Sequence, residues 1–107
     1  MIARVWHGFA PTPNASRHVA YLQRELLPRY LGVPGNRGAL LLARSEIDCA
    51  EFLVVSMWES VASLEDLTGG PAIEEAIVPL EAHPDLFNSS PIVKHYEVVV
   101  SALDRIA

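Results

Sequence analysis

Two neighbouring segments of the chain carry apolar side chains on both alternating sets of positions. In the stretch EFLVVSMWES, residues 51–60, the first set comprises Phe52, Val54 and Trp58 and the second comprises Leu53, Val55 and Met57. Successive side chains of a β-strand point to opposite faces of its sheet. A strand with this pattern needs burial on both faces, and this need limits the folds open to the chain.

The segment before it has the same property. Within residues 38–45, Leu40 and Leu42 stand opposite Leu41, and the polar stretch SEID separates this run from the apolar run of residues 50–58. Two strand-like runs joined by a short polar connection predict a β-hairpin.

The remaining segments predict helices and two further strands. Residues 2–9 predict a first strand that the prolines of APTPN end, and residues 91–100 predict a fourth strand. Between strands one and two, the helical spacing of Val19, Leu22 and Leu26 predicts a helix that Asn14 caps and that kinks or restarts at Pro28.

A second helical region follows the hairpin. Ser60 is a suitable N-cap, Leu64 and Leu67 form an apolar stripe, and Gly69 is followed by Gly70 at the predicted helix end. Beyond it, we predict a short helix from residue 71 to residue 79, a long loop over residues 80–90 and a C-terminal tail.

The order strand, helix, strand, strand, helix, strand predicts a ferredoxin-like α+β fold within a single domain, residues 1–107. Both helices then cover one face of a four-stranded antiparallel sheet. The other face must meet an apolar partner, and the simplest one is the same sheet of a second copy. Burying six or seven side chains at about 1.5 to 3 kcal/mol each exceeds a typical association cost, so we predict a homodimer through the sheet faces.

Composition excludes several classes of function. A net charge of -5 with only 8 Lys and Arg residues provides no basic surface for nucleic acid or anionic lipid. The single cysteine, Cys49, excludes an intrachain disulfide and a cysteine-rich metal cluster. Because we find neither a secretory signal nor an apolar run of membrane-spanning length, we expect a cytoplasmic protein.

The stretch FLVVSMWES, turning at once into a helix and followed at the end of the chain by VKHYEV, resembles the antibiotic biosynthesis monooxygenase-like domains over about residues 1–100. The stretch PGNRGALLLAR is similar to one branch of that superfamily. The resemblance implies a dimeric α+β barrel with a small cavity between the sheet and helices of each subunit. Some members oxidise polycyclic phenols with molecular oxygen and without metal or flavin, and others degrade haem.

The haem-degrading branch has an asparagine on the first strand, a tryptophan on the second helix and a histidine about ten residues later. The matching positions here are His7, Leu67 and Ile77, so all three differ. We therefore expect no haem degradation and no cofactor. The function we predict is cofactor-independent monooxygenation of a small aromatic or enolisable substrate in a hydrophobic pocket. The alternatives are a non-catalytic dimeric module that binds a small ligand or has a structural role and, less favoured, haem binding.

Histidine suits a general base because its ordinary pKa lies near neutrality. His7 and His95 are the two candidate bases, and the fold places them on neighbouring strands; each is also compatible with a structural role. The four histidines lack the close spacing of metal ligands, only His7 and His95 could share an ion, and no metal site is predicted.

Three further residues are candidates for binding substrate. Trp58 either lines the cavity or seals the sheet against the second helix. Arg37 and Asn36 follow the Pro34–Gly35 turn and either hold an anionic substrate or serve the turn itself.

Overall fold

In the computed structural model of the protein, residues 1–74 and 91–102 are described below. Their elements are β1 (Ile2–Pro11), a 3-10 turn (Thr12–Asn14), α1 (Ala15–Tyr21), a π-helical turn (Leu22–Leu26), α2 (Leu27–Leu31), β2 (Asn36–Ser45), β3 (Cys49–Trp58), α3 (Val61–Thr68) and β4 (Ile92–Glu97). Residues 71–74, the described start of the helix predicted over 71–79, form a bend and a turn instead, so that part of the prediction is wrong. The rest of that helix, the predicted loop and the end of the tail lie outside the described residues. None of the described helices is long and apolar enough to cross a membrane.

The four strands form one antiparallel sheet in the order β2-β3-β1-β4. This order, with helical segments between β1 and β2 and after β3, confirms the ferredoxin-like α+β prediction. The hairpin of β2 and β3 is also confirmed, with a register shift between Asn36 and Ala39 at its start.

Two strand ends differ from the sequence prediction, and the pairing explains both. β1 continues to Pro11, whose partner is Cys49 on β3. In the described part of the sheet the β1–β4 pairing reaches only to His7, so a proline without an N–H is tolerated at the far end of β1. β4 ends at Glu97 rather than at residue 100, because its partner there is Ile2, the first residue of β1.

The first helical region restarts where a proline enters it. Pro28 stands at the start of α2 and has no backbone N–H, and the π-helical turn Leu22–Leu26 lies directly before it. The predicted restart is therefore confirmed. Asn14 occupies the N-cap position of α1 but its side chain makes no capping hydrogen bond, so that part of the prediction is wrong.

Helix α3 has the ends that the sequence predicts. The Ser60 hydroxyl accepts a hydrogen bond from the Ser63 backbone N–H, and the Ser63 hydroxyl accepts one from the Ser60 backbone N–H, completing a capping box. At the other end Gly69 adopts a left-handed conformation with φ of 82°. Leu64 and Leu67 are buried in the core.

The even-numbered side chains of β1 and β3 lie on the face that the helices cover, which we call the helix-side face. Its apolar core contains Trp6, Ala10, Ala50, Phe52, Val54 and Trp58 together with Tyr21, Leu22, Leu26, Tyr30, Leu64 and Leu67 from the helices. All twelve side chains are buried, and two aromatic residues of the helices are among them.

The opposite face, which we call the outer face, is also largely apolar. It comprises Ala3, Val5, His7 and Phe9 of β1, Leu40, Leu42 and Arg44 of β2, Glu51, Leu53, Val55 and Met57 of β3, and Ile92, Lys94 and Tyr96 of β4. The strand residues of the buried core lie on the helix-side face. On the outer face, by contrast, Leu40, Leu42 and Ile92 are 54%, 45% and 57% exposed in the single chain. The sheet is therefore apolar on both faces, as the sequence predicts. What covers the outer face remains a prediction.

Candidate functional site

An arginine lies within the helix-side face. Arg4 of β1 is fully buried, and its guanidinium contacts α2, β4 and the segment after α3. Nε donates a hydrogen bond to the hydroxyl of Tyr30 on α2 at 3.0 Å. Nη1 donates one to the carbonyl oxygen of Ile73, a residue that lies after α3. Nη1 also lies 3.1 Å from Nε2 of His95 on β4. We call Arg4, Tyr30, Ser56, Trp58 and His95 the Arg4 cluster.

The contact with Arg4 fixes the tautomer of His95. A guanidinium N–H can only donate, so the His95 Nε2 atom accepts and the ring proton of the neutral imidazole resides on Nδ1. Burial, and then the positive charge of Arg4, lower the pKa of His95 below 6.5, against a smaller opposing effect of Glu74. The imidazole is therefore neutral at pH 7, and its one lone pair, on Nε2, faces Arg4.

Tyr30 is the second polar group in contact with the guanidinium. Burial raises the pKa of its phenol above 10.0, although the neighbouring Arg4 acts in the opposite direction. The hydroxyl stays protonated at neutral pH, so Tyr30 binds Arg4 as a neutral group. The Arg4 guanidinium carbon also lies 5.8 Å from the centre of the Tyr30 ring.

Trp58, at the end of β3, contacts the same cluster. Its indole Nε1–H donates a hydrogen bond to the Ser56 hydroxyl at 2.8 Å, and that hydroxyl donates a long bond of 3.5 Å to the Arg4 carbonyl oxygen. The Trp58 ring meets the Tyr30 ring edge-on, with ring centres 5.8 Å apart. The Trp58 ring thus packs against α2, which belongs to the first helical region, whereas the sealing interpretation named the second helix.

His7 and His95 lie on neighbouring strands, as predicted, but on opposite faces of the sheet. His95 pairs across the strands with Arg4, whereas His7 pairs with Ile92 and belongs to the outer face. The two imidazoles therefore share neither a pocket nor an ion. Across residues 1–74 and 91–102, no three His, Cys, Asp or Glu side chains are placed to hold a metal ion.

On the outer face, His7 joins a small network of polar side chains. Its Nε2 atom lies 2.7 Å from a Glu51 oxygen, and Arg44 binds the other Glu51 oxygen at 3.0 Å and Glu46 at 2.6 Å. The His7 ring also packs against Phe9, with ring centres 4.8 Å apart. His7 therefore has a structural partner on each side.

Asn36 and Arg37 occupy the turn into β2. Arg37 forms an exposed ion pair with Glu59 at 2.6 Å, and Asn36 accepts a hydrogen bond from the Gly38 backbone N–H at 2.8 Å. The Asn36 Nδ2 atom is buried and finds no acceptor within the described parts of the chain. Asn36 and Arg37 thus contact the turn itself and Glu59, just before α3, which favours the turn role over a place in the Arg4 cluster.

Sequence reasoning missed Arg4 and Tyr30, although each gave a signal. Arg4 interrupts the apolar first strand and, two residues before Trp6, points to the same face of the sheet as Trp6. Tyr30 continues the spacing of Leu22 and Leu26, so it lies on the same buried stripe. A charged residue on the core side of a strand is rare unless it has partners or a function.

Comparisons with known proteins identify the fold. No protein-family model and no curated protein matches the chain. Among solved structures, the chain is similar to a "Putative antibiotic biosynthesis monooxygenase" from Nitrosomonas europaea, with a TM-score of 0.71 and 11% identity over 94% of this chain and 100% of that one. A protein of the same designation from Caulobacter crescentus gives a TM-score of 0.68 and 16% identity, over 92% and 90% of the two chains.

A third similar structure is that of the heme-degrader MhuD from Mycobacterium tuberculosis with two hemes bound in its active site. It gives a TM-score of 0.63 and 20% identity, over 95% of this chain and 99% of that one. The resemblance seen in the sequence is thus confirmed for the fold, over nearly the whole chain. At these identities the comparisons carry no activity across to this protein.

Proposed function

We propose that the protein is a homodimeric, cofactor-independent monooxygenase that acts on a small aromatic or enolisable substrate at the Arg4 cluster. One observation carries this proposal. A neutral imidazole, His95, lies 3.1 Å from a buried guanidinium, Arg4, between the sheet and the helices.

These two groups provide what the first step of such a reaction needs. His95 accepts the proton of a phenol, an enol or an acidic C–H group, and Arg4 stabilises the oxyanion that forms. In the free protein Arg4 occupies the Nε2 lone pair of His95, so the substrate oxygen must enter between them and take over the Arg4 hydrogen bond. The charge then lies beside a fully buried cation, and a cation held away from water has its largest effect.

The anion formed in this way reacts with molecular oxygen without a redox group from the protein. For an activated methylene group, one molecule of oxygen converts the methylene to a carbonyl group and yields one molecule of water. The methylene carbon loses four electrons and both of its hydrogens, one oxygen atom enters the carbonyl group, and the other leaves as water. His95 accepts a substrate proton and returns it to the departing oxygen.

The outer face supports the dimeric part of the proposal. Two such faces packed together bury Leu40, Leu42, Ile92 and Tyr96, each about half exposed in the single chain. His7, the other candidate base, then lies at the subunit interface with Glu51 as its partner. We therefore propose His95 rather than His7 as the base. The single cysteine, Cys49, is compatible with a reducing cytoplasm, where we place the protein.

Oxygen uptake tests the proposal directly. Purified protein is mixed in air with a panel of anthrones, naphthols and 1,3-dicarbonyl compounds, and oxygen consumption is followed with an electrode. His95→Ala should lower the rate on an accepted substrate by about 10²- to 10⁴-fold, the usual contribution of a general base. His7→Ala is the matched control and should retain the rate. Uptake that disappears in His7→Ala and persists in His95→Ala would overturn the assignment of the base.

A non-catalytic dimeric module is the second candidate, because a buried cation and a neutral imidazole also suit the binding of a small acidic ligand. The same panel separates the two functions. Quenching of tryptophan fluorescence by a panel compound without oxygen uptake would indicate binding alone, since Trp58 contacts Tyr30 within the Arg4 cluster.

Haem, the ligand of MhuD, does not fit the described residues on the helix side. His18 is fully buried, with Phe52 4.3 Å away between ring centres, and the His95 Nε2 atom faces the Arg4 cation. Neither imidazole in residues 1–74 and 91–102 presents a nitrogen to an iron from this side. We therefore expect neither His18 nor His95 to bind haem iron, so a haem titration should give the same Soret band in the wild type and in His95→Ala.

A further inference from the structure

We infer that Tyr30 is a positioning residue that holds the Arg4 guanidinium against His95, and that Trp58 acts through the Tyr30 ring. The importance of this arrangement for a reaction rests on the proposed function. The contacts that define it do not depend on any activity.

The hydroxyl of Tyr30 binds the Arg4 guanidinium at Nε, the atom that sets the orientation of the planar group. An arginine side chain carries about 2 kcal/mol of rotamer entropy, which must be overcome to hold its end in one place. Nε is the nitrogen closest to the aliphatic stem, and Tyr30 accepts its N–H at 3.0 Å. With Nε fixed, the planar group has little freedom left, and Nη1 stays at 3.1 Å from His95.

A phenol suits this role because it leaves the charge of Arg4 intact. A carboxylate at the same place would neutralise the guanidinium and compete with an anionic substrate. Burial raises the pKa of Tyr30, so the hydroxyl remains neutral over the whole physiological range. Tyr30 therefore fixes the cation in place and preserves its ability to stabilise an oxyanion.

The Tyr30 ring is itself held by Trp58. The two rings meet edge-on at an interplanar angle of 67°, and the Trp58 indole is anchored by its 2.8 Å hydrogen bond to Ser56. Ser56 in turn binds the backbone of Arg4. These contacts connect the Arg4 backbone, through Ser56, Trp58 and Tyr30 in turn, to the Arg4 side chain.

The experiment compares Tyr30→Phe with Tyr21→Phe, which removes the hydroxyl of another buried tyrosine in the same helical region. The imidazoles are followed by NMR in histidine-labelled protein from pH 5 to 8, with signals assigned by single His→Gln replacements. Among residues 1–74 and 91–102, the charged or titratable groups that face His95 are Arg4 of β1, Tyr30 of α2 through Arg4, and Glu74 after α3. Of these, only the placement of Arg4 should change in Tyr30→Phe.

We expect the midpoint of His95 to rise toward 6.5 in Tyr30→Phe, because the Arg4 cation is no longer held beside it, and to stay unchanged in Tyr21→Phe. An unchanged His95 midpoint in a folded Tyr30→Phe protein would overturn the inference, as would equal shifts in both variants. If Tyr30→Phe fails to fold, Trp58→Phe replaces it and should raise the same midpoint by a smaller amount; no rise there overturns the inference.

Where oxygen uptake is measurable, Tyr30→Phe should lower kcat by about tenfold to a hundredfold with little change in KM, since the cation acts mainly on the developing oxyanion. An equal loss in Tyr21→Phe would indicate a merely structural effect. The NMR titration needs no substrate, so it stands or fails independently of the proposed monooxygenase activity.

Discussion

The burial of His18 makes the stability of the protein sensitive to acid. Its imidazole, on α1, is fully enclosed and packs against Phe52 at 4.3 Å and Trp6 at 6.1 Å between ring centres. Burial lowers the pKa of His18 from 6.5 to about 4. A shift of this size corresponds to about 3 kcal/mol at most, at 1.36 kcal/mol for each pH unit.

The direction of the effect follows from which state binds the proton. Between pH 6.5 and pH 4 the unfolded chain protonates this histidine and the folded chain does not. The contribution is therefore complete above pH 6.5 and is lost as the pH falls toward 4. The lowered pKa of His95 acts in the same direction.

The replacement His18→Leu isolates this contribution, because leucine fills the apolar site and does not titrate. Urea unfolding is followed by the fluorescence of the two buried tryptophans at pH 7.0, 5.5 and 4.5, at one protein concentration. Between pH 7.0 and 4.5 the wild type should lose about 2 to 3 kcal/mol more free energy of unfolding than the variant. Parallel losses in the two proteins would refute the argument that His18 is buried in its neutral form.

Three further replacements test the local structure. Gly35→Ala should destabilise the fold by about 2 kcal/mol or more, because Gly35 has φ of 94° and a Cβ atom there would lie 2.6 Å from the Cβ of Ser63. Gly70→Ala, with open space around it, is the control. Equal losses of stability in urea unfolding would contradict the reasoning. Ser60→Ala removes the hydroxyl that caps α3 and should cost about 1 kcal/mol in the same assay, whereas no change would show that the cap is not needed. Arg37→Ala breaks an ion pair whose two side chains are 59% and 50% exposed, so it should change stability by less than about 0.5 kcal/mol, and a larger loss would assign Arg37 a further role.

The fold could be predicted largely from local patterns. The apolar residues at both parities of β2 and β3, the serine before α3 and the glycine after it each have one dominant structural meaning. The ends of β1 and β4 could not be predicted in this way, because a strand continues only as far as its neighbour. Val99 and Val100 favour a strand by composition. They lie beyond Glu97, however, which pairs with Ile2, the first residue of β1.

The site was harder to predict, because it depends on the register between distant segments. Neighbouring strands were enough to relate His7 to His95, but the register sets His95 opposite Arg4 and His7 opposite Ile92. A shift of one residue along β4 would reverse the face of every side chain on that strand. The contact of Arg4 with Tyr30 joins residues 26 positions apart in the chain, and no local pattern contains it.

In the proposed dimer the two faces of the sheet have different partners, the helices on one side and a second copy on the other. Sedimentation velocity from 1 to 50 µM tests this claim most directly, with Leu42→Glu on the outer face and Val61→Glu on the exposed side of α3 as a matched control. The wild type and Val61→Glu should sediment as species of twice the chain mass of 11.7 kDa. In Leu42→Glu the dissociation constant of the dimer should rise about 100-fold or more, so the single chain becomes the main species. A monodisperse single chain of 11.7 kDa in the wild type at 50 µM would contradict the account.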